Sequence, residues 1–128
     1  WAVDGFTESV RHELATQKIV VKLVEPGLVK ETNFIQRALE TSQAVPVPPA
    51  YRAYADQIAQ MYLGPSPFRL STAQDVAAAI FTAATDDTDQ LRYNVGEDSL
   101  TLAHMRRETS EVEYNAWTLA RYGAVRPA

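Results

Sequence analysis

The sequence predicts an α/β fold built on a short parallel sheet, and three observations carry that prediction. A helical stripe over residues 2–17 runs directly into an apolar, β-branched run at 19–24. A second strand-like run, 91–95, follows another helical segment, and helices and strands alternate along the chain. Such alternation is what parallel strands joined by right-handed crossover helices require. Two strands are too few to stand alone, so the fold is expected to be incomplete as a stand-alone domain.

Ala2, Phe6, Val10 and Leu14 recur at every fourth position and fall on one stripe of the first helix. Trp1 already stands at its first turn with no capping residue ahead of it, and a segment upstream of Trp1 is expected. Ile19, Val20, Val21, Leu23 and Val24 form a run broken only by Lys22 and closed by Pro26-Gly27, the pattern of a buried parallel strand. A helix leading straight into such a strand reads as the second half of a βαβ unit whose first strand is not in this sequence. The open strand edge and the helix stripe are therefore expected to seek a partner.

Residues 28–70 read as a long irregular excursion, in which Val45-Pro46-Val47-Pro48-Pro49 excludes regular helix or central strand. One short helix is predicted inside it. Tyr51, Tyr54, Ala55, Ile58, Met61 and Tyr62 recur at spacings of three and four, and Gly64-Pro65 supplies a stop. A loop of this length enclosing a helix reads as a lid over a pocket, and packing of the same tyrosines against the sheet is the plainer alternative.

Ser71 with Gln74 three residues on reads as a capping box for a helix to about Thr85, with Val76, Ala77, Ile80, Phe81 and Ala84 on its buried face. A polar loop, 86–90, leads to the strand at 91–95, closed by Gly96. Asp98 or Ser99 then caps a final helical region carrying Leu100, Ala103, Val112, Ala116, Leu119 and Ala120 and fraying before Pro127. Arg106-Arg107-Glu108 with Glu111 and Glu113 reads as a solvated face with i,i+4 charge pairs.

Composition narrows the function classes. With 46% hydrophobic and 22% charged residues in 128, the chain has the make-up of a globular protein. The net charge is −4 and the Lys and Arg residues are scattered, so a nucleic-acid partner is not expected. The absence of cysteine excludes disulfides, thiolate metal sites and a cysteine nucleophile, and fits a cytoplasmic protein. His12 and His104 are far apart in sequence and read as ordinary histidines, and no metal site is expected. Apolar runs fall far short of the ~20 residues of a membrane span, and Trp1 to Glu8 lack the basic leader of a signal peptide.

Trp1-Ala2-Val3-Asp4-Gly5-Phe6 with Glu13-Leu14, followed by Val21-Lys22-Leu23-Val24-Glu25-Pro26-Gly27-Leu28-Val29, resembles the short-chain dehydrogenase/reductase family downstream of its active-site motif. Asp75-Val76-Ala77-Ala78-Ala79-Ile80 is similar to the family's penultimate helix, and Leu91-Arg92-Tyr93-Asn94-Val95-Gly96-Glu97-Asp98 to its last strand and the loop after it. The resemblance spans residues 1–128 as a C-terminal portion of the family's domain, with the lid at about 28–70. It implies a Rossmann-like parallel sheet with flanking helices. It also implies an oxidoreductase that uses NAD or NADP on a small hydrophobic carbonyl or alcohol. By the same resemblance, Pro26, Gly27, Leu28, Val29 and Thr32 contact the cofactor in the intact enzyme, and Tyr51, Tyr54, Ile58 and Tyr62 form the substrate lid. Thr32 stands one place later than in the common Pro-Gly-x-Val-x-Thr pattern.

The family's Gly-x-x-x-Gly-x-Gly turn is absent from this sequence, whose glycines are Gly5, Gly27, Gly64, Gly96 and Gly123. Its Tyr-x-x-x-Lys pair would end immediately before Trp1, and no tyrosine here has a lysine four positions on. No catalytic residue is assigned, and this chain alone is expected to be inactive and to hold no cofactor. The expected partner is the missing N-terminal half or a second copy. The alternative reading is a non-catalytic folding or assembly module that associates through its sheet edge and first helix.

Overall fold

The computed structural model describes residues 2–123. Its elements are α1 (Ala2–Ala15), β1 (Leu23–Pro26), α2 (Phe34–Gln43), a 3-10 turn (Pro49–Tyr51), α3 (Arg52–Leu63), α4 (Ala73–Thr85), β2 (Arg92–Val95), α5 (Glu97–Glu108) and α6 (Glu111–Tyr122). β1 and β2 pair in parallel, Leu23 opposite Arg92 through Pro26 opposite Val95. The fold class is mixed α/β around a two-stranded parallel sheet. Trp1 and Pro127, on which the sequence reading drew, lie outside the described residues.

The first strand is shorter than predicted. Ile19 and Val20 lie outside it and are 49% and 56% exposed. The ladder begins only where β2 offers a partner: Leu23 N donates to Leu91 O at 2.6 Å, and no strand among the described residues pairs upstream of that point. Apolar, β-branched content makes residues 19–22 able to extend, but pairing decides where a strand exists. The expected burial also falls short, since Leu23, Val24 and Glu25 are half-buried and Pro26 is exposed.

Two adjacent apolar stripes run along α4, and the sheet takes the smaller one. The predicted face contained Ala77, Ile80, Phe81 and Ala84, yet all four are exposed, Phe81 to 70%. Val76, Ala79 and Ala83 are the protected positions, Ala83 buried to 6% exposure. Their spacing of three and four defines a stripe one position round the helix. A sheet of two strands is narrow and covers one stripe only. The buried set among the described residues is correspondingly small: Ala83, Leu91, Tyr93, Val95 and Ser71.

Three boundaries differ from the sequence reading for reasons of capping. The N-cap of α4 is Thr72, not Ser71; its hydroxyl accepts from Asp75 N at 3.1 Å while Asp75 accepts from Thr72 N at 2.8 Å. Ser71 is instead bridged to Val29 and buried. At α5 the predicted caps Asp98 and Ser99 lie inside the helix, which follows Gly96 at φ 100°. Finally, the last helical region is two helices. Ser110 accepts from Glu113 N at 3.2 Å and Glu113 accepts from Ser110 N at 2.9 Å, a capping box that starts α6 anew. Leu100, Val112 and Leu119 of that region are exposed.

The excursion after β1 contains α2 as well as the predicted α3. Ile35 and Leu39 are the half-buried positions of α2, and Gln36 Nε2 donates to Glu40 Oε1 at 3.1 Å along its outer side. Pro49 opens the 3-10 turn at a position where a missing N–H costs nothing. The charge reading of α5 is corrected too: Arg106 reaches Glu111 across the corner at 2.6 Å, Arg107 lies 3.8 Å from Glu25, and Glu113 serves the cap. The i,i+4 pair on α5 is His104 with Glu108. No described helix is long and apolar enough to cross a membrane.

Candidate functional site

A cleft of about 450 Å³ opens at the carboxyl ends of the two strands. Its floor is Glu25 and Pro26 from the end of β1 with Gly27 and Leu28 beyond it and Asn94 from β2, and Asp4 reaches it from α1. Asp98, Ser99, Leu102, Ala103, Arg106 and Arg107 of α5 form one wall, and Trp117, Arg121 and Tyr122 of α6 continue it. Phe34 of α2, Met61 and Tyr62 of α3, and Phe68 close the other side. In parallel α/β sheets this crevice beyond the strand ends is where ligands bind.

The turn leaving β1 is held by α5. Leu28 N donates to Asp98 Oδ2 at 2.7 Å, and Gly27 N donates to Val95 O at 2.9 Å. A Cβ on Gly27 would stand 1.9 Å from Asp98 Oδ1, so the absence of a side chain there is what lets the carboxylate reach the Leu28 amide. Ser99 Oγ donates to Glu25 O at 2.6 Å, and Asn94 Nδ2 donates to Glu25 Oε2 and to Ser99 Oγ, both at 3.0 Å. Asp98 and Ser99, predicted as helix caps, thus tie the start of α5 to the first strand.

Beyond Leu28 the chain runs beside Ser71: Lys30 N donates to Ser71 O at 2.9 Å, and Ser71 N to Leu28 O at 3.2 Å. Val29 N makes no hydrogen bond among the described residues. Glu31 adopts φ 63°, and this left-handed residue turns the chain so that Thr32 Oγ1 donates back to Val29 O at 3.1 Å. The extra residue between Val29 and Thr32 is absorbed there.

Of the residues singled out in the sequence, Pro26, Gly27, Leu28 and Tyr62 line the cleft together. Val29, bridged to Ser71, is not among the lining residues, and Thr32 borders a separate groove along α2 with Arg37 and Thr41. Tyr51, Tyr54 and Ile58 are not among the cleft residues; Tyr54 Oη donates to Tyr122 O at 3.1 Å, fastening α3 to the end of α6. Sequence reasoning missed Asp4, Glu25, Asn94, Arg107, Phe68, Trp117 and Arg121. Their chemistry is ordinary in sequence, and only the meeting of α1, α5 and α6 at the strand ends assembles it.

Electrostatics on the floor are set by two carboxyl groups and two guanidinium groups. Arg92 holds Asp4 at 3.2 Å and Glu8 at 2.6 Å and approaches Glu25 at 3.5 Å, while its Nε is buried without a hydrogen bond. Burial pushes the Glu25 carboxyl up, its neighbour Asp4 adds to the rise, and Arg107 and Arg92 oppose it. Burial acts on Asp4 as well, but hydrogen bonding with Glu25 and the Arg92 guanidinium bring it below the usual carboxylate range. A proton entering the pair therefore goes to Glu25 first. On the far side of the sheet, Lys22, Asp86 and Tyr93 form a tight polar cluster, with Lys22 Nζ 3.2 Å from Tyr93 Oη. Among the described residues no group of His, Asp and Glu is arranged to hold a metal ion.

Two proteins of Schizosaccharomyces pombe, each named an uncharacterized oxidoreductase, are 23% identical to this chain over 116 residues. The match covers 91% of this chain and 47% of each of theirs, so the chain spans about half the length of the curated relatives it matches. No protein-family model matches the chain, and no solved structure does. The likeness is to oxidoreductases in general.

Proposed function

We propose that this chain is the C-terminal portion of a short-chain dehydrogenase/reductase, with a Rossmann-like sheet completed by residues outside it, and that its cleft is the substrate side of an NAD(P)-dependent carbonyl or alcohol site. One observation carries the reading most: Pro26, Gly27 and Leu28, the turn to which the sequence resemblance assigns cofactor contact, line a cleft at the carboxyl ends of two parallel strands. Just beyond that turn the Val29 amide makes no hydrogen bond among the described residues, and a free N–H suits the carbonyl of a primary carboxamide, the polar group of nicotinamide. Pro26, Gly27 and Leu28 would supply the surface beside that ring and Val29 its polar contact, while Thr32, whose hydroxyl donates to Val29 O, would have to release that bond to join them. The resemblance in sequence and the likeness to named oxidoreductases support the same reading.

When bound, the nicotinamide supplies hydride transfer. The chain's own part is to position and enclose. Gly27 keeps the wall of the turn flat, Asp98 fixes the turn through Leu28 N, and Phe34, Met61, Tyr62 and Phe68 give the cleft an apolar side. Tyr51, Tyr54 and Ile58 act in this reading on the lid rather than on the substrate, Tyr54 as its fastening to α6. Tyr-x-x-x-Lys chemistry would come from outside these residues.

The test is a comparison of the 128-residue chain with the same chain joined to an upstream half that carries the phosphate-binding turn and the Tyr-x-x-x-Lys pair, each assayed for oxidation and reduction of nicotinamide dinucleotides with hydrophobic ketones and alcohols. The longer protein turns over and the shorter chain does not. Saturable micromolar dinucleotide binding by the short chain, or no turnover by the long one, refutes the reading. A second reading, an assembly module, is favoured by the exposure of Val3 (73%) and Phe6 (68%) on α1. Analytical ultracentrifugation of a Phe6→Glu variant tests it, since a strictly monomeric wild type would remove its basis.

A further inference from the structure

Three arginines line the cleft, and they differ in what they touch. Arg106 pairs with Glu111 at 2.6 Å, and Arg107 lies 3.8 Å from Glu25. Arg121 has no carboxylate within ion-pair distance among the described residues. It is held instead by rings: its guanidinium carbon lies 4.7 Å from the centroid of Phe68, 5.5 Å from Tyr122 and 6.0 Å from Trp117. Trp117 and Tyr122 themselves meet edge to face at 6.2 Å. The Nε–H of Arg121 donates to Tyr122 Oη at 3.2 Å, which fixes the plane of the group. A guanidinium has five N–H donors, and the four on its terminal nitrogens make no hydrogen bond within the described residues.

We infer that the cleft takes a ligand with an apolar body and a carboxylate, and that Arg121 receives the carboxylate. The inference rests on the reading of this cleft as a substrate site and narrows the substrate class to carboxylate-bearing carbonyl or alcohol compounds. Two physical arguments support it. First, a guanidinium clamped among aromatic rings has already lost most of its rotamer freedom, so little is left to lose when a carboxylate docks on its terminal nitrogens. Second, planar N–H pairs match a carboxylate in two parallel hydrogen bonds, a geometry that a neutral amide cannot complete. Phe68, Trp117 and Leu102 then face the apolar body, while the carboxyls of Asp4 and Glu25 lie on the cleft floor with Arg92 and Arg107 beside them.

Phenylbutyrate and its neutral counterpart phenylbutyramide are suitable probes, titrated into the protein with backbone NMR and tryptophan fluorescence as readouts. Wild type is expected to bind the carboxylate at least about tenfold more tightly than the amide, with the preference shrinking as salt is raised. Arg121→Met keeps an apolar stem among the rings and abolishes the preference while leaving amide binding in place; Arg121→Lys retains part of it. Equal affinities in wild type, a preference that survives Arg121→Met, or no saturable shift for either probe at Trp117 and Arg121 overturns the inference. Should Arg121→Met fail to fold, the Lys variant and the wild-type salt dependence still decide. Hydride transfer by the longer protein is scored separately: turnover without carboxylate preference sinks only this inference, and carboxylate preference without turnover sinks only the oxidoreductase reading.

Discussion

Gly27 and Asp98 should behave as one energetic unit. An alanine at position 27 puts its methyl 1.9 Å from Asp98 Oδ1, 2.2 Å from Cγ and 2.3 Å from Oδ2, and meets nothing else as closely. The backbone at Gly27 does not occupy the left-handed region, so the substitution brings no conformational strain of its own. What yields is the Asp98 side chain, which must swing away from the Leu28 amide that it accepts from at 2.7 Å. Loss of a charge-assisted hydrogen bond to a half-buried amide costs about 2 kcal/mol. Gly27→Ala is therefore expected to destabilise by about that amount, and Asp98→Ala by about the same for the same reason. In the double variant the clash and the bond are both gone, and Gly27→Ala added to Asp98→Ala should cost about 0.5 kcal/mol or less. Urea unfolding followed by circular dichroism, carried out as a double-mutant cycle, measures the coupling. If Gly27→Ala costs as much with Asp98 removed as with it present, the methyl is meeting backbone and the argument fails.

Two further outcomes follow from the packing around the sheet. The Lys22 ammonium and the Tyr93 hydroxyl beside Asp86 hold its carboxyl well below the usual carboxylate range. Its folded pKa lies under its unfolded one, so the stabilisation is whole above about pH 4 and is lost as pH falls through the depressed folded value. Asp86→Asn should lower the urea midpoint at neutral pH and flatten its acid limb; wild-type and variant midpoints that run parallel down to about pH 2 would contradict this. On α4, Ala83→Leu overpacks the buried stripe and should cost about 1–3 kcal/mol, whereas Phe81→Ser should change stability of the isolated chain by no more than about 0.5 kcal/mol. Denaturant unfolding ranks the two variants, and the reverse order would show that α4 packs by its Ile80 and Phe81 stripe after all.

The elements are legible wherever the sequence carries a local signal. The four-residue period of α1, the apolar run ended by Pro26-Gly27, the tyrosine-rich period of α3 and the strand Arg92–Val95 closed by Gly96 all express steric preferences within a few residues. The capping boxes at Thr72 and Ser110 are equally local, Thr-x-x-Asp and Ser-x-x-Glu, and the second is the signal that separates α5 from α6. α2 escapes sequence reading because Ile35 and Leu39 alone make a weak stripe inside a segment dominated by its prolines. The sequence by itself determined the alternation of helix and parallel strand and the Pro-Gly turn, but neither α2 nor the break between α5 and α6.

Tertiary structure alone decided three things. It chose which stripe of α4 is buried, because Val76-Ala79-Ala83 and Ala77-Ile80-Phe81-Ala84 are both apolar and periodicity cannot rank two stripes set one residue apart. It set the start of β1 at Leu23, because a strand is defined by the partner that accepts and donates its hydrogen bonds, and β2 begins at Arg92. It also gathered Asp4, Glu25, Asn94, Asp98 and Arg121 into one cleft from five elements spread along almost the whole chain. No periodicity links those positions. Their proximity comes from parallel pairing, which brings the carboxyl ends of β1 and β2 side by side and aims the chain after each strand into the same crevice.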